Sequence, residues 1–298
     1  MEQRRLVLTV TAAQAGVKVD TLLRSGLGLS GTVIRRIKWY PDGILLDGAR
    51  VQTDARCREG QFLSALVSDG EGPRSIVPAP GPLDIVYEDQ DMLVLNKAAG
   101  MLVHPGAGHY DDTLGNFLLY YYNQSGISAD FHPVHRLDKG TTGLLVVAKH
   151  AHAQEILKNQ LHTPDFRRIY LAVCEGVPEP RRGSIDAPIG RVEGSLMARA
   201  VQPGGQAART RYEVLETKNG RALLRLELES GRTHQIRVHM AYLGHPLTGD
   251  FMYGTENRAL IARPALHSAE LHCRQPITGA RLEFHAELPE DIRGIINN

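Results

Sequence analysis

The apolar and polar positions of this 298-residue chain change between strand-like and helix-like spacing many times. Leu144–Ala148 is an uninterrupted apolar run after Gly143, which is typical of a strand buried on both faces. Other apolar or alternating runs predict strands at 85–87, 92–97, 168–173, 210–215 and 221–229. Only short strands and turns are expected between Gly244 and Pro289. Because strands and helical segments are interspersed, the pattern is compatible with an α+β fold.

The first 68 residues predict a small unit of two short helices and a hairpin. Apolar spacing indicates one helix near Val19–Leu23, and Ser30 can cap a second helix with an apolar inner face. Asp47-Gly48 between apolar residues predicts a tight hairpin. Residues 24–60 hold seven basic and four acidic side chains, so a basic binding surface and an ordinary solvated helix face are both open. The basic residues on the outer face of the second helix are Arg35, Arg36 and Lys38.

Residues 69–82 contain three glycines and four prolines, a composition that disfavours regular structure and predicts a linker. The predicted organisation is therefore a small domain at 1–68, a linker at 69–82 and a larger domain at 83–298. In the larger domain, residues 151–162 have the apolar spacing of an amphipathic helix. A further helix is predicted to start at a Thr233 cap and to end at Gly244, with Arg237 near its beginning.

Composition excludes several classes of protein. The 34 basic and 33 acidic residues give a net charge of +1, so any basic surface for nucleic acid must be local. The sequence contains neither an apolar run long enough for a membrane span nor an apolar leader after Met1, which predicts a cytoplasmic protein. Three cysteines far apart argue against a disulfide framework and are expected to be reduced.

The loop 135–143, which runs directly into the predicted central strand, is the strongest candidate for chemistry. Asp138 lies between Arg136 and Lys139, whose charges favour its ionised form. An ionised Asp can be a nucleophile, a base or a metal ligand, although a plain polar turn would look the same. The usual phosphate-binding and dinucleotide-binding motifs are missing, and the His spacings do not suit a zinc site, so no metal is expected.

Four blocks of sequence resemble the RluA/RluD type of RNA pseudouridine synthases. His135-Arg136-Leu137-Asp138 followed by Gly143–Lys149 resembles the central motif of that family. The other blocks, in the order of the family, are Tyr87–Lys97 with Val103–Gly106, then Gly231–Met240 with Gly244–Pro246, Gly249-Asp250 and Tyr253-Gly254, and finally Leu266–Ser268 through Pro276–Gly279. The amino-terminal unit is similar to a small RNA-binding domain of the ribosomal-protein-S-four type.

The resemblance implies a pseudouridine synthase fold, in which a mixed, largely antiparallel sheet is flanked by helices. It also implies an isomerase without a cofactor, which flips a uridine out of its stack and rejoins uracil to ribose through C5. Asp138 matches the catalytic residue, which either attacks C1′ or takes a proton from C2′. Arg237 matches its basic partner, Tyr170 the aromatic residue that stacks on the flipped base, and Arg136 the side chain that fills the gap. Arg35, Arg36 and Lys38 then become candidate phosphate contacts.

The resemblance leaves alternatives open. Ala98 and Gly140 depart from the usual family pattern, which puts the choice of substrate in doubt. A catalytically silent RNA-binding or ribosome-assembly factor of the same fold is the main rival to an active enzyme, and a hydrolase with an Asp nucleophile is a weaker one. Ribosomal RNA of the large subunit is the expected substrate and transfer RNA the alternative. The protein is expected to be a monomer.

Overall fold

A computed structural model of the protein describes residues 3–69 and 75–297. In these residues the chain forms a four-stranded sheet, a ten-stranded sheet and a separate two-stranded sheet, with helices packed on the larger two. The α+β prediction is therefore confirmed. Part of the predicted linker, residues 70–74, lies outside the described residues, and the division at 68 and 82 stays a prediction.

The amino-terminal sheet carries its two helices over one apolar core. Ser30 accepts a hydrogen bond from the N–H of Val33, as a helix cap does, and Asp47 and Gly48 have the positive φ of a tight hairpin, 51° and 80°. Both predictions are confirmed. The elements are β1 (Arg5–Thr9), a 3₁₀ turn (Ala12–Gln14), α1 (Val19–Ser25), α2 (Gly31–Ile37), β2 (Ile44–Leu46), β3 (Ala49–Arg50) and β4 (Phe62–Leu66). The strand order in the sheet is β1-β4-β2-β3.

The large sheet contains the predicted central strand. The strands and helices that follow β4 are β5 (Ile85–Glu88), β6 (Met92–Lys97), α3 (Leu114–Gln124), β7 (His132–Pro133), β8 (Thr142–Ala148), α4 (Ala151–Gln160), β9 (Arg167–Glu175), β10 (Arg182–Asp186), β11 (Ile189–Arg191), β12 (Arg199–Val201), β13 (Arg209–Lys218), β14 (Arg221–Leu228), α5 (Gln235–Tyr242), β15 (Leu266–Arg274), β16 (Arg281–His285) and α6 (Glu290–Asn297). The order is β10-β13-β14-β9-β15-β8-β6-β5, with β16 beside β15 and β7 beside β8. Strands β15 and β8 are parallel and the other recorded pairs antiparallel, so the sheet is mixed and largely antiparallel.

Strand β8 lies inside the sheet, and all seven of its residues are buried. Leu145 and Val147 face one apolar core, whereas Leu144 and Val146 face a second core under α4. Gly143 has a φ of +105°, and a Cβ there would lie 2.2 Å from the carbonyl oxygen of Ser268 on β15. Only glycine therefore lets β15 pair closely with the start of β8. The Asp138 loop therefore lies where β8 begins, at the ends of the strands, and not along an outermost strand of the sheet.

Several elements differ from the sequence-based prediction. Helix α5 begins after His234, whose φ is 58°, and not after a Thr233 cap. Helices α3 and α6 were not predicted, although Ile292, Ile295 and Ile296 have helical spacing and are buried. Strand β15 is nine residues long, where short strands were expected, because it is paired on both sides within the sheet.

Ion pairs join the amino-terminal unit to the large sheet. Arg4 donates to Asp91 at 2.7 Å, and Asp91 is almost fully buried. Asp69 accepts from Arg36 at 3.1 Å and also contacts a ring nitrogen of His132 at 2.7 Å. The guanidinium of Arg36, which was predicted on the outer face of α2, is turned toward Asp69 and is 30% exposed, so its role as a phosphate contact stays a prediction.

Two predictions about composition can be compared with the described residues. The three cysteines are buried and free. In the ranges 3–69 and 75–297, the helices are too short or too polar to cross a bilayer.

Candidate active site

Asp138 lies in the turn that leads into β8. The carbonyl oxygen of Asp138 accepts a hydrogen bond from the N–H of Thr141 at 3.0 Å, which tightens this turn. The carboxylate is 19% exposed, so it is neither fully buried nor freely solvated. A carboxylate in this position is accessible to a bound molecule and still lies on a rigid support.

Arg237 extends from α5 toward Asp138. Its Nη1 lies 3.4 Å from Oδ2 of Asp138, and the residue is only 4% exposed. On the other side, Nε and Nη2 donate to the two carboxylate oxygens of Asp250 at 2.7 and 2.8 Å. Burial alone would lower the pKa of Arg237, but the hydrogen bonds and negative charge of Asp250 raise it overall. The guanidinium that faces Asp138 therefore stays charged.

Asp250 is fully buried and was not predicted as a site residue. Its Oδ1 also accepts hydrogen bonds from the backbone N–H groups of Met252 and Tyr253, at 3.0 and 3.2 Å. A buried carboxylate with this many donors holds a bidentate arginine in one orientation. The Gly249-Asp250 block of the sequence contained this residue, but only the fold places it behind Arg237.

His234 and Tyr253 close the other side of the Asp138 carboxylate. Nδ1 of His234 is 2.8 Å from the Tyr253 hydroxyl, and its Nε2 is 3.9 Å from Oδ1 of Asp138. Burial lowers the pKa of His234 despite the nearby Asp138, so the ring is mostly neutral at pH 7. The Tyr253 ring also lies against the Arg237 guanidinium, 5.0 Å from ring centre to Cζ. These contacts restrict the positions that Arg237 can take.

Tyr170 lies on β9 and is 4% exposed. It lines the same cleft, of about 300 Å³, as Asp138, Arg136 and Arg237. Burial raises the pKa of Tyr170, so its hydroxyl is protonated at neutral pH. The cleft continues past Asp138 into a second cavity of about 570 Å³, lined in part by Met197 and Phe251. The fold thus brings together four of the residues that the sequence singled out.

Two buried cations hold the Asp138 loop from behind. Nζ of Lys97 donates to the carbonyl oxygens of Ala98, Met101 and Lys139 at 2.8, 2.9 and 3.3 Å, and burial lowers the pKa of Lys97 to about 7. Nη1 of Arg263 donates to the carbonyl oxygen of Gly140 at 3.1 Å. Nε and Nη2 of Arg263 both bind Asp291 of α6 at 2.8 Å. The role of Arg263 was not predicted, because Gly140 and Asp291 are 123 and 28 residues away in the sequence.

The basic residues of α2 are outside the lining of the Asp138 cleft. Arg35 and Lys38 are exposed, and Nζ of Lys38 lies 4.9 Å from the centre of the Trp39 ring, which is 73% exposed. Across 3–69 and 75–297, His, Cys, Asp and Glu side chains form no group of three or more that could hold a metal ion. The expected absence of a cofactor stays a prediction.

A sequence profile of the family described as RNA pseudouridylate synthase matches residues 91–242. A protein of Bacillus subtilis (strain 168) named "Uncharacterized RNA pseudouridine synthase YlyB" is 40% identical over 296 residues, which cover 98% of this chain and 97% of the relative. The chain belongs to the RNA pseudouridine synthase family. It is therefore an RNA pseudouridine synthase, which is an isomerase that acts on RNA.

Other relatives agree with this membership in the family. The "Ribosomal large subunit pseudouridine synthase D" of Yersinia pestis is 40% identical over 310 residues, which cover 99% of this chain and 95% of the relative. The solved structure of "Human RNA Pseudouridylate Synthase Domain Containing 1" has 28% identity and a TM-score of 0.57, and covers 70% of this chain and 85% of that chain. "Human RNA Pseudouridylate Synthase Domain Containing 4" has 26% identity and a TM-score of 0.58, and covers 72% of this chain and 92% of that chain. The large sheet therefore has the pseudouridine synthase fold.

Proposed function

We propose that this RNA pseudouridine synthase isomerises uridine in large-subunit ribosomal RNA, with Asp138 as the reacting residue. The observation that carries the assignment to Asp138 is its carboxylate, which lies in a cleft with Tyr170 and 3.4 Å from a guanidinium fixed by Asp250. The proposed RNA target is supported by relatives such as the Yersinia pestis protein, whose name refers to the large ribosomal subunit. Transfer RNA is the alternative target.

The reaction begins with a uridine turned out of its stack into the cleft. Unstacking costs a few kcal/mol, and a base that stacks on Tyr170 recovers about 1–3 kcal/mol of that. Arg136 is exposed beside Asp138, at the mouth of the cleft, where it can fill the gap in the RNA. When RNA covers the cleft and excludes water, the charge of Arg237 keeps the Asp138 carboxylate ionised and reactive.

The glycosidic bond between N1 and C1′ then breaks, and its electron pair passes to the uracil ring. Asp138 either forms an ester at C1′ or takes a proton from C2′, and both routes neutralise its carboxylate. The ring turns, C5 bonds to C1′, and the Asp138 carboxylate is regenerated. The proton then leaves C5, beside the Tyr170 hydroxyl, and N1 takes up a proton, so the isomerisation gains and loses no atoms.

The amino-terminal unit is the proposed RNA-binding domain of the ribosomal-protein-S-four type. Arg35 and Lys38 are exposed, and the largely exposed ring of Trp39 lies beside Lys38, a combination that suits phosphates and an unpaired base. Arg36 is left out of this surface because it is bound to Asp69.

The proposal is tested by mapping pseudouridine in total RNA from cells of the source organism that lack this protein. Complementing strains carry the natural chain or Asp138→Asn. The expected result is that specific pseudouridines of large-subunit ribosomal RNA disappear and return only with the natural chain. Loss of a transfer RNA site instead would overturn the target. Disturbed ribosomes with every pseudouridine intact would favour the rival assembly factor.

A further inference from the structure

Arg168 lies in the wall of the Asp138 cleft, two residues before Tyr170 on β9. Side chains two residues apart on a strand point to the same face, so Arg168 and Tyr170 face the cleft together. Arg168 is 5% exposed. A second guanidinium, besides that of Arg237, is thus buried at the place where the proposed function puts the uracil.

Arg168 differs from the other buried arginines of this site in lacking a carboxylate. Arg237 and Arg263 each bind an aspartate through two nitrogens, and the neighbouring Arg167 binds Glu227 at 2.7 Å. Arg168 has no acidic oxygen within 4.0 Å among residues 3–69 and 75–297. Within the described part of the chain, its buried Nε is without a hydrogen-bond partner, and Nη2 reaches only the carbonyl oxygen of Ser230, at 3.5 Å.

The surroundings hold this guanidinium in place without neutralising it. The ring of Phe166 lies on one side, 6.0 Å from Cζ of Arg168. On another side, a Cβ added to Gly231 would lie 3.0 Å from Nη1, so the absence of a side chain at Gly231 leaves room for the arginine. A buried cation without a partner is costly in the free protein, so it is expected where a bound molecule supplies negative charge.

The reaction itself supplies that charge, because it moves from Asp138 to the base. When the N1–C1′ bond breaks, its electron pair goes to uracil, and the ring becomes an anion with charge on N1, O2 and O4. At the same moment the Asp138 carboxylate becomes a neutral ester or a neutral acid. Arg237 thus stabilises the negative charge on Asp138 before the bond breaks. A second cation is needed beside the uracil, where the charge lies afterwards.

We propose that Arg168 donates to a carbonyl oxygen of the flipped uracil and stabilises the ring anion that forms as the glycosidic bond breaks. This inference rests on the proposed function and adds to it a group that recognises the leaving base. Because the interaction becomes stronger as charge develops, it lowers the barrier to bond cleavage more than it tightens the binding of RNA.

The test compares Arg168→Met and Arg168→Lys with the natural chain, and Arg167→Met is the matched control on the same strand. Single-turnover rates are measured at saturating RNA, together with the Kd for RNA and the melting temperature. We expect Arg168→Met to slow the conversion of uridine by about 100-fold while Kd changes less than about threefold. Arg168→Lys keeps the charge but not the planar guanidinium, so its rate should lie between those of the natural chain and Arg168→Met. Arg167→Met should keep the natural rate.

A second substrate separates stabilisation of the anion from a merely structural role. In RNA with 5-fluorouridine at the target position, fluorine stabilises the ring anion, so cleavage depends less on Arg168. The readout is disappearance of the target nucleoside, since fluorine at C5 prevents the final proton loss. The rate deficit of Arg168→Met should therefore be clearly smaller for 5-fluorouridine than for uridine. The melting temperature of Arg168→Met should not fall, because this substitution removes a buried charge that has no partner.

Equal rate deficits on the two substrates would overturn the inference. So would a weaker Kd with an unchanged rate at saturation, which would mean that Arg168 binds a phosphate of the RNA. A lower melting temperature of both variants with a natural rate per folded molecule would assign it a structural role. If the natural chain itself converts no uridine in large-subunit or transfer RNA, the proposed function has failed instead.

Discussion

Arg237 in the Asp138 cleft and Arg35 on helix α2 carry the same charge in very different surroundings. Arg237 is 4% exposed, and two hydrogen bonds to Asp250 fix its orientation. Arg35 is exposed, and its recorded hydrogen bond is to the hydroxyl of Thr32, three residues earlier on its own helix. A cation that must face one carboxylate in one geometry is buried and braced, whereas a cation that we propose for contacts with RNA phosphates can stay solvated.

Arg36 shows that one helix can carry both an arginine fixed by a carboxylate and, next to it, an arginine that is exposed to solvent. It lies beside Arg35 in the sequence but donates to Asp69, which also contacts His132 of the large sheet. Its charge therefore helps to hold the amino-terminal unit against the sheet. The difference between the cleft and α2 leads to four predictions, which are given from the largest expected effect on the protein to the smallest.

Replacing the reacting group should have the largest effect on activity. Asp138→Asn removes the negative charge but keeps the shape of the side chain, so we expect the single-turnover rate to fall by about 10⁴-fold or more with little change in melting temperature. The control is Asp111→Asn, at an exposed aspartate in the loop between β6 and α3, and it should keep the natural rate. A fall below about tenfold for Asp138→Asn would remove Asp138 from its proposed role.

Releasing the brace of Arg237 should affect both activity and stability. Asp250→Asn leaves a buried guanidinium without its carboxylate, which we expect to cost about 3–5 kcal/mol of unfolding free energy. The rate should fall by roughly 10–100-fold, because the orientation of Arg237 toward Asp138 is loosened. Chemical denaturation and single-turnover assays measure the two effects.

A double variant sharpens this prediction. If Asp250 acts only through Arg237, then Arg237→Met with Asp250→Asn should have nearly the same rate as Arg237→Met alone. Rate losses that multiply would mean that Asp250 has a separate function in the cleft.

Lys97 is buried, and among the described residues its Nζ donates to three carbonyl oxygens and to no carboxylate. Its pKa of about 7 in the folded protein lies below the ordinary value of 10.5, so the folded state loses this proton first as pH rises. The unfolding free energy of the natural chain should therefore increase relative to that of Lys97→Met between pH 7 and pH 9, by roughly 2–3 kcal/mol. Lys158→Met, at an exposed lysine, should show no such trend.

Removing exposed charges from α2 and from Lys38, the residue that follows it, should have the mildest consequence. Arg35→Ala with Lys38→Ala is expected to weaken RNA binding several-fold and to lower the slope of log Kd against log salt by about 1.5, since two phosphate contacts are lost. The rate at saturating RNA should stay the same. Arg36→Ala is the contrasting variant: it should lower the melting temperature and leave the salt slope unchanged. Identical salt slopes for all three proteins would argue against α2 as an RNA-binding surface.

Much of the local structure could be predicted from the sequence. The apolar run after Gly143, the Ser30 cap and the Asp47-Gly48 turn depend on residues close together in the chain, and all three are observed. The cap of α5 was predicted wrongly, because Thr233 is a good cap by composition, but the chain turns at His234, which contacts Tyr253. The capping preference of a residue type does not decide where a helix begins when a tertiary contact determines the backbone conformation.

The sequence by itself determined several strands of the large sheet, the loop that carries Asp138 and, through its motifs, the family. Only the tertiary structure decided which charges support that loop, because Asp138 and Arg237, Gly140 and Arg263, and Lys97 and Lys139 lie 99, 123 and 42 residues apart. It also decided that Arg36 faces Asp69 and that Arg168 has no acidic partner among the described residues. The physical reason is that burial and pairing of charge depend on which strands and helices meet, and spacing along the chain records only the period of each element.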